Sequence, residues 1–181
     1  MSTSGSLSPA DVVTFWLDAG PERWFTKNAD FDALFRERFL AQHEAAAAGQ
    51  LPEWSTSAEG CLALVLLLDQ FPRNCFRGSP RAYATDPTAR AVAEHAIASG
   101  YDEAVDRRLR FFFYLPFEHA ESLADQERSV ELHEAIGFSE YALHHRDIIR
   151  RFGRFPHRNA ILGRVSTAEE QAFLDAGGFT G

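Results

Sequence analysis

The run Cys61-Leu-Ala-Leu-Val-Leu-Leu-Leu68 is apolar on every side. A bilayer needs roughly 20 such residues, so eight must be buried by protein instead. A helix that is hydrophobic all round belongs at the centre of a globule, with every other element packed against it. Elsewhere the apolar residues fall at helical spacing. Val12, Phe15, Trp16 and Ala19 follow a Ser8-Pro9 start and end at Gly20-Pro21; Phe31, Leu34, Phe35 and Phe39 line a helix from about 29 to 48 that stops at Gly49. Thr56 and Glu59 form a capping-box pattern ahead of the apolar run.

Further along, Asp86 and Pro87 open a helix with Ala89, Val92, Ala93, Ala96 and Ile97 as its stripe, closed by Ser99-Gly100. Residues 107 to 115 predict a shorter buried helix stopped by Pro116. From Ser122 to Ile136 the stripe thins to Leu123, Val130, Leu132 and Ile136, so polar groups must supply much of the packing. Tyr141, Ala142, His145, Ile148, Ile149 and Phe152 share one face of the next helix. Ser166 and Glu169 start a last one carrying Phe173 and Leu174. No run alternates apolar and polar as a strand does. The expectation is one all-α domain over 1–181, ordered from about 8 to 175, built of antiparallel helix pairs. QFPRN at 70–74 and RFPHRN at 154–159 echo each other, and helix-stopping chemistry explains the echo as well as duplication does.

Composition then removes function classes. A formal charge of -8 disfavours nucleic acid, and the opening MSTSGSLSPA has neither the basic residues nor the apolar stretch of a secretory leader. No membrane association and a cytoplasmic location are expected. Two cysteines, Cys61 and Cys75, read as separate buried thiols. Lys27 is the only lysine, which leaves little basis for Schiff-base chemistry. Dinucleotide and phosphate-loop glycine motifs are absent. His133-Glu134 lacks a second histidine in helical register, and His119-Ala120-Glu121 lacks the paired cysteines of a zinc deaminase. Neither metal nor cofactor is expected.

What remains is an uneven charge map, acidic over 100–134, with Arg146, Arg150, Arg151, Arg154, Arg158 and Arg164 crowding one later stretch. Two readings stand. Bidentate arginines could join Glu118, Glu121, Asp125 or Asp69 as structural stitching. Alternatively, Arg154, His157 and Arg158 project from a turn at Pro156, with Asn159 as a cap, and grip an anion. His145 reads as a hydrogen-bonded core residue, whereas His119, near Glu121, has the position of an acid or base.

LLDQFPRN (67–74), RGSPRAYATD (77–86), FFYLPFEHAESLADQERSVELH (112–133) and RFGRFPHRNAILGRVSTAEE (151–170) resemble the bacterial family catalogued as domain of unknown function 924. The resemblance runs from about Pro9 to Phe173 and implies an all-α fold similar to tetratricopeptide-repeat domains. Mapped through those motifs, the candidate ligand-binding set is Asp69, Gln70, Arg73, Asn74, His119, Glu121, Asp125, Gln126, Arg154, His157, Arg158 and Asn159. Glu118 and Ala120 stand where the family pattern has methionine and serine. The leading functional expectation is a binding module for an anionic small molecule or peptide carboxylate. The alternatives are a hydrolase using His119 with Glu121, and a purely structural or oligomeric role.

Overall fold

The computed structural model describes residues 7–181; the first six residues of the stretch read for a leader lie outside it. Among the described residues every regular element is helical. The main helices are α1 (Pro9–Ala19), α2 (Ala29–Ala47), α3 (Ala58–Val65), α4 (Phe71–Cys75), α5 (Asp86–Ala98), α6 (Leu123–Ala135), α7 (Glu140–Phe152) and α8 (Ala168–Asp175). The chain divides into two compact units, one of residues 1–77 and 81–116, the other of 78–80 and 117–181.

The first unit is built around the apolar run. Cys61 through Leu68 are all buried. Gly60 begins the approach: a Cβ there would stand 2.0 Å from the Trp54 carbonyl oxygen, so only glycine lets α3 pack against the preceding turn. Trp16, Phe35, Phe39, Phe71 and Phe112 are fully buried beside it, and Phe15 stacks on Phe31 and Phe35 at 5.4 and 5.3 Å. Leu34 departs from the expected apolar face and is 51% exposed. The two cysteines are free thiols.

Between α3 and α4 the helix widens into a π turn, Leu66–Gln70. Backbone accounting explains its surroundings. Phe71 N–H reaches back to the Leu66 carbonyl, which takes it away from Leu67, and Pro72 has no N–H to give Leu68. Both carbonyls are satisfied from other elements: Leu67 O by His43 Nδ1 at 2.9 Å and Leu68 O by Thr85 Oγ1 at 2.5 Å. Pro72 therefore lies inside a continuing helix rather than ending one. Near the end of the unit, Tyr114 OH donates to Asp102 at 2.7 Å and accepts from Arg110 Nε at 2.7 Å. Residues 110–113 form a 3-10 turn, and Pro116 sits inside the helical turn Leu115–Glu118 instead of stopping the segment.

In the second unit α6 and α7 run antiparallel, so Glu127 near the start of one meets Arg146 and Arg150 late in the other. The buried face of α7 is Ala142, His145, Ile148 and Ile149, whereas Tyr141 is 64% exposed. Gly153, at φ 71°, returns its N–H to the Ile149 carbonyl and ends α7. Three caps sit one residue from their expected places. Ser57, not Thr56, caps α3; Thr85 stands before α5, with Asp86 drawn to Arg73; Thr167 with Glu170, not Ser166 with Glu169, forms the capping box of α8.

Replacing Thr85 with valine keeps the side-chain shape but strands the Leu68 carbonyl. Thr85→Val should lose about 1–3 kcal/mol in urea unfolding. A loss below a few tenths would show that the π turn does not need this donor.

Candidate functional site

The twelve candidate residues divide between the two units. In the first, Asp69 is fully buried on the π turn, accepting from Gln70 Nε2 at 2.7 Å and lying 3.1 Å from Arg73 Nη1. Arg73 also forks onto Asp86 at 2.8 and 2.9 Å and donates to the Asp69 carbonyl at 3.0 Å. Two carboxylates raise the Arg73 pKa despite burial, which opposes its charge. Asn74 caps nothing: it donates to Asp32 at 2.8 Å, a carboxylate shared with Arg77.

In the second unit a continuous polar chain links the segment after α7 to the loop before α6 and to α8. Glu121 takes Arg164 on both oxygens, at 2.6 and 2.9 Å, and the Phe155 amide at 2.7 Å. Arg164 also donates to the Phe155 carbonyl at 3.1 Å and to Asn159 Oδ1 at 2.9 Å. Asn159 passes its own N–H groups to Ser166 and Glu170, at 3.0 and 3.3 Å. Glu170 closes the chain, held by both arms of Arg154 at 2.6 and 2.8 Å and by the Thr167 amide at 2.7 Å. The late arginines thus do meet earlier and later carboxylates. Asn159 is a hub of this network and not a helix cap. Hydrogen bonds from Arg154 hold the Glu170 carboxyl down to about 2, and those from Arg164 and Phe155 outweigh burial to lower that of Glu121.

Arg158, 6% exposed, lies over the Phe155 ring at 4.5 Å. His157 packs its half-buried ring 5.6 Å from Phe155 and 5.1 Å from Phe179. Asp125, half-buried in the first turn of α6, gives its amide to the Ser122 cap at 3.4 Å.

The remaining candidates, His119 and Gln126, belong to a second cluster around Glu118. Gln126, Ser129 and His133 stand at i, i+3 and i+7 on the buried face of α6, where apolar residues are scarce. Gln126 is fully buried and its Nε2 donates to the carbonyls of Glu118 and Ala120 at 2.6 and 2.8 Å; its Oε1 is buried with no hydrogen-bond partner. His133 Nδ1 donates to the Ser129 carbonyl at 2.9 Å, which turns Nε2 toward Glu118 Oε2, 3.8 Å away. His145 Nδ1 donates to the Tyr141 carbonyl at 2.8 Å and lies 3.4 Å from Glu118 Oε1. His119 is half-buried, its ring 6.4 Å from that of His145. Glu118, Ser129 and His133 are not among the site residues that the motifs nominate. The signal that finds them is the polar periodicity of α6, the same thinness of stripe that marked this helix.

Comparison with known proteins follows from these motifs. The family model for a bacterial protein of unknown function, DUF924, matches residues 12–178. The chain belongs to the DUF924 family. It is similar to the solved structure of a protein of unknown function from Agrobacterium tumefaciens, with 54% identity and a TM-score of 0.91 over 93% of this chain and 97% of that one. No curated protein matches.

The histidines of this DUF924 chain make its stability pH-dependent. Burial lowers the His145 pKa to about 3, with repulsion from His119, His144 and Arg158 acting the same way, against the Tyr141 hydrogen bond. His133 and His43 are lowered by burial too. Groups depressed in the fold bind protons when unfolded, so stability should fall as pH drops from about 7. His145 alone accounts for roughly 2 kcal/mol by pH 5. Melting temperatures across that interval should decline steeply, and less steeply in His145→Leu; an equal slope in both proteins would refute the assignment.

Proposed function

We propose that this DUF924 protein is a small-molecule binding module whose site is the Glu118, Gln126, His133 and His145 cluster, with His119 at its entrance. It takes a compact hydrogen-bond donor, of which a primary ammonium group is the simplest. The observation that carries this is the Gln126 carbonyl oxygen, buried without a donor. An unsatisfied buried acceptor costs about 1–3 kcal/mol, which a bound donor recovers. Its neighbours present acceptors as well. The Glu118 carboxylate lies 3.8 Å from Nε2 of His133, whose proton is held on Nδ1 by the Ser129 carbonyl, and 3.4 Å from Nδ1 of His145.

The anion-gripping alternative keeps Arg158 and His157 but has lost its strongest forks. Arg154 and Arg164 are occupied by Glu170 and Glu121, and Asn159 lies between them. Acid-base catalysis through His119 is a second reading, favoured by a half-buried imidazole whose ring lies 6.4 Å from that of His145. Glu121, committed to Arg164, is not the partner that reading would use; Glu118 is. Two free thiols support a reducing, cytoplasmic setting, and among the described residues no helix is long and apolar enough to cross a membrane.

Thermal-shift measurements at about pH 8, where His133 and His145 are neutral, separate these readings. Methylammonium and putrescine should raise stability, by about 2.7 kcal/mol at a hundredfold excess over Kd, and Gln126→Leu or Glu118→Gln should abolish the effect. Stabilisation by phosphate or acetate alone, by none of the four, or by amines in both variants would sink the proposal. Turnover lost in His119→Ala would favour the enzyme.

A further inference from the structure

The cluster around Glu118 is closed. Glu118 is 4% exposed, Gln126 0%, His133 2% and His145 7%, so a ligand reaches these groups only if some part of the fold moves aside. The rings around His145 show which part that is. Phe179 is nearest, its centroid 4.6 Å away, followed by Phe155 at 5.6 Å, His144 at 6.3 Å and His119 at 6.4 Å. Phe155 is fully buried, and His144 is exposed on α7. His119 is pinned by its backbone, since Gln126 Nε2 donates to the carbonyls of both its neighbours, Glu118 and Ala120.

Phe179 is carried differently. Beyond α8 the chain turns back through Gly177, at φ 77°, and Gly178, where a Cβ would stand 2.6 Å from the Phe173 ring and carbonyl oxygen. Their amides donate to the Leu174 and Phe173 carbonyls at 3.0 and 2.9 Å. After them the segment has no regular structure, and among the described residues Phe179, Thr180 and Gly181 make no hydrogen bond. One half-buried ring holds it, standing edge-on to His145, His144 and His157 and packed against the cluster of Ile148, Ile149 and Phe155. At the far end Gly181 lies along the His157 ring, where a Cβ would be 3.1 Å from Nε2. A segment with a glycine hinge and a single side-chain anchor opens without breaking a backbone hydrogen bond.

We infer that residues 177–181 are a strap that gates the Glu118 site, with Phe179 as its latch on His145. The inference rests on the ligand-binding reading of that site. Rotation at the two glycines lifts the ring off His145, whose Nδ1 is 3.4 Å from Glu118 Oε1, and opens the cluster from that side. Reversal of the motion returns the ring to its seat over the occupied site. Because an apolar contact rather than a hydrogen-bonded element holds the strap, the open form is a minor but accessible population, and a ligand enters without unfolding α6 or α7.

Carbethoxylation of the histidines by diethyl pyrocarbonate in the full chain at neutral pH, located by peptide mass mapping, measures this opening. In the unaltered protein His145 should react far more slowly than the exposed His95. Phe179→Ser should raise the His145 rate relative to His95 by about tenfold or more, and Phe179→Leu, which keeps an apolar anchor, should raise it less. Amide hydrogen exchange in α6 and α7 should be the same in all of these proteins. An unchanged His145 rate in Phe179→Ser, a rise in His119→Ala but not in Phe179→Ser, or a rise accompanied by lost amide protection in α7, which would make the ring part of the core, would each overturn the strap. Methylammonium separates this inference from the reading beneath it. Stabilisation of the unaltered protein by methylammonium together with an unchanged His145 rate in Phe179→Ser removes the strap and leaves the binding site, whereas a raised rate without stabilisation by either amine leaves the strap and removes the ammonium ligand.

Discussion

The organisation of residues 117–181 depends on one half-buried ionic relay, Glu121 to Arg164 to Asn159 to Glu170 to Arg154. The segment between α7 and α8 has almost no apolar face of its own, with Phe155 its one fully buried large side chain. It takes its shape from hydrogen bonds whose members satisfy one another. Glu170 is 2% exposed, and removing Arg154 would leave its buried carboxylate with only the neutral Thr167 amide and Asn159 as donors, which is costlier than never having had the pair. Arg151 with Glu169 is the contrast. Both side chains are more than half exposed, and a pair of that kind contributes about 0–1 kcal/mol. The same composition of arginine and glutamate thus does structural work in one place and little in the other, and burial decides which.

The unit of residues 1–77 and 81–116 solves a related problem with neutral groups. Its central helix is apolar throughout, yet the π turn and Pro72 between them leave two carbonyls without helical donors, in surroundings where water cannot serve them. His43 and Thr85 supply the donors. Burial keeps His43 neutral, which suits an imidazole whose task is to hold one proton on Nδ1 for a carbonyl. Asp69 and Arg73, placed at the same turn, bring a charged pair to the helix where it is already irregular.

Much of this was legible in the sequence, and the limits have physical causes. Helices appear where apolar spacing is strong, as in α5 and the buried face of α7, and the glycine stops at Gly49 and Gly100 are where backbone geometry demands them, whereas α7 ends at Gly153, ahead of the expected turn at Pro156. Caps slipped by one residue at Ser57 and Thr167 because a hydroxyl or acid stands on either side of the true position, and local pattern alone does not choose between neighbours. Ion-pair partners were less accessible. Glu121 and Arg164 lie 43 residues apart, so that sequence supplies the two charge types but not the pairing. Least visible was the Glu118 cluster, since a helix face made of Gln126, Ser129 and His133 looks like a solvated face until its burial is known.

Charge bookkeeping links these structural findings to function. Lysine and arginine number 18 against 26 aspartates and glutamates, the difference being the formal -8. Each arginine that closes an internal bridge also consumes at least one carboxylate, so pairing leaves the excess acid in place while withdrawing cations from the surface. The long-range field of such a molecule attracts cations and repels anions. A donor-seeking cluster around Glu118 agrees with that field, and an anion needs a local exception to it. Arg154 and Arg164, the best placed to form one, are spent on Glu170 and Glu121. The polarity of a ligand is therefore read from which arginines remain unspent, not from where arginines are most numerous in the chain.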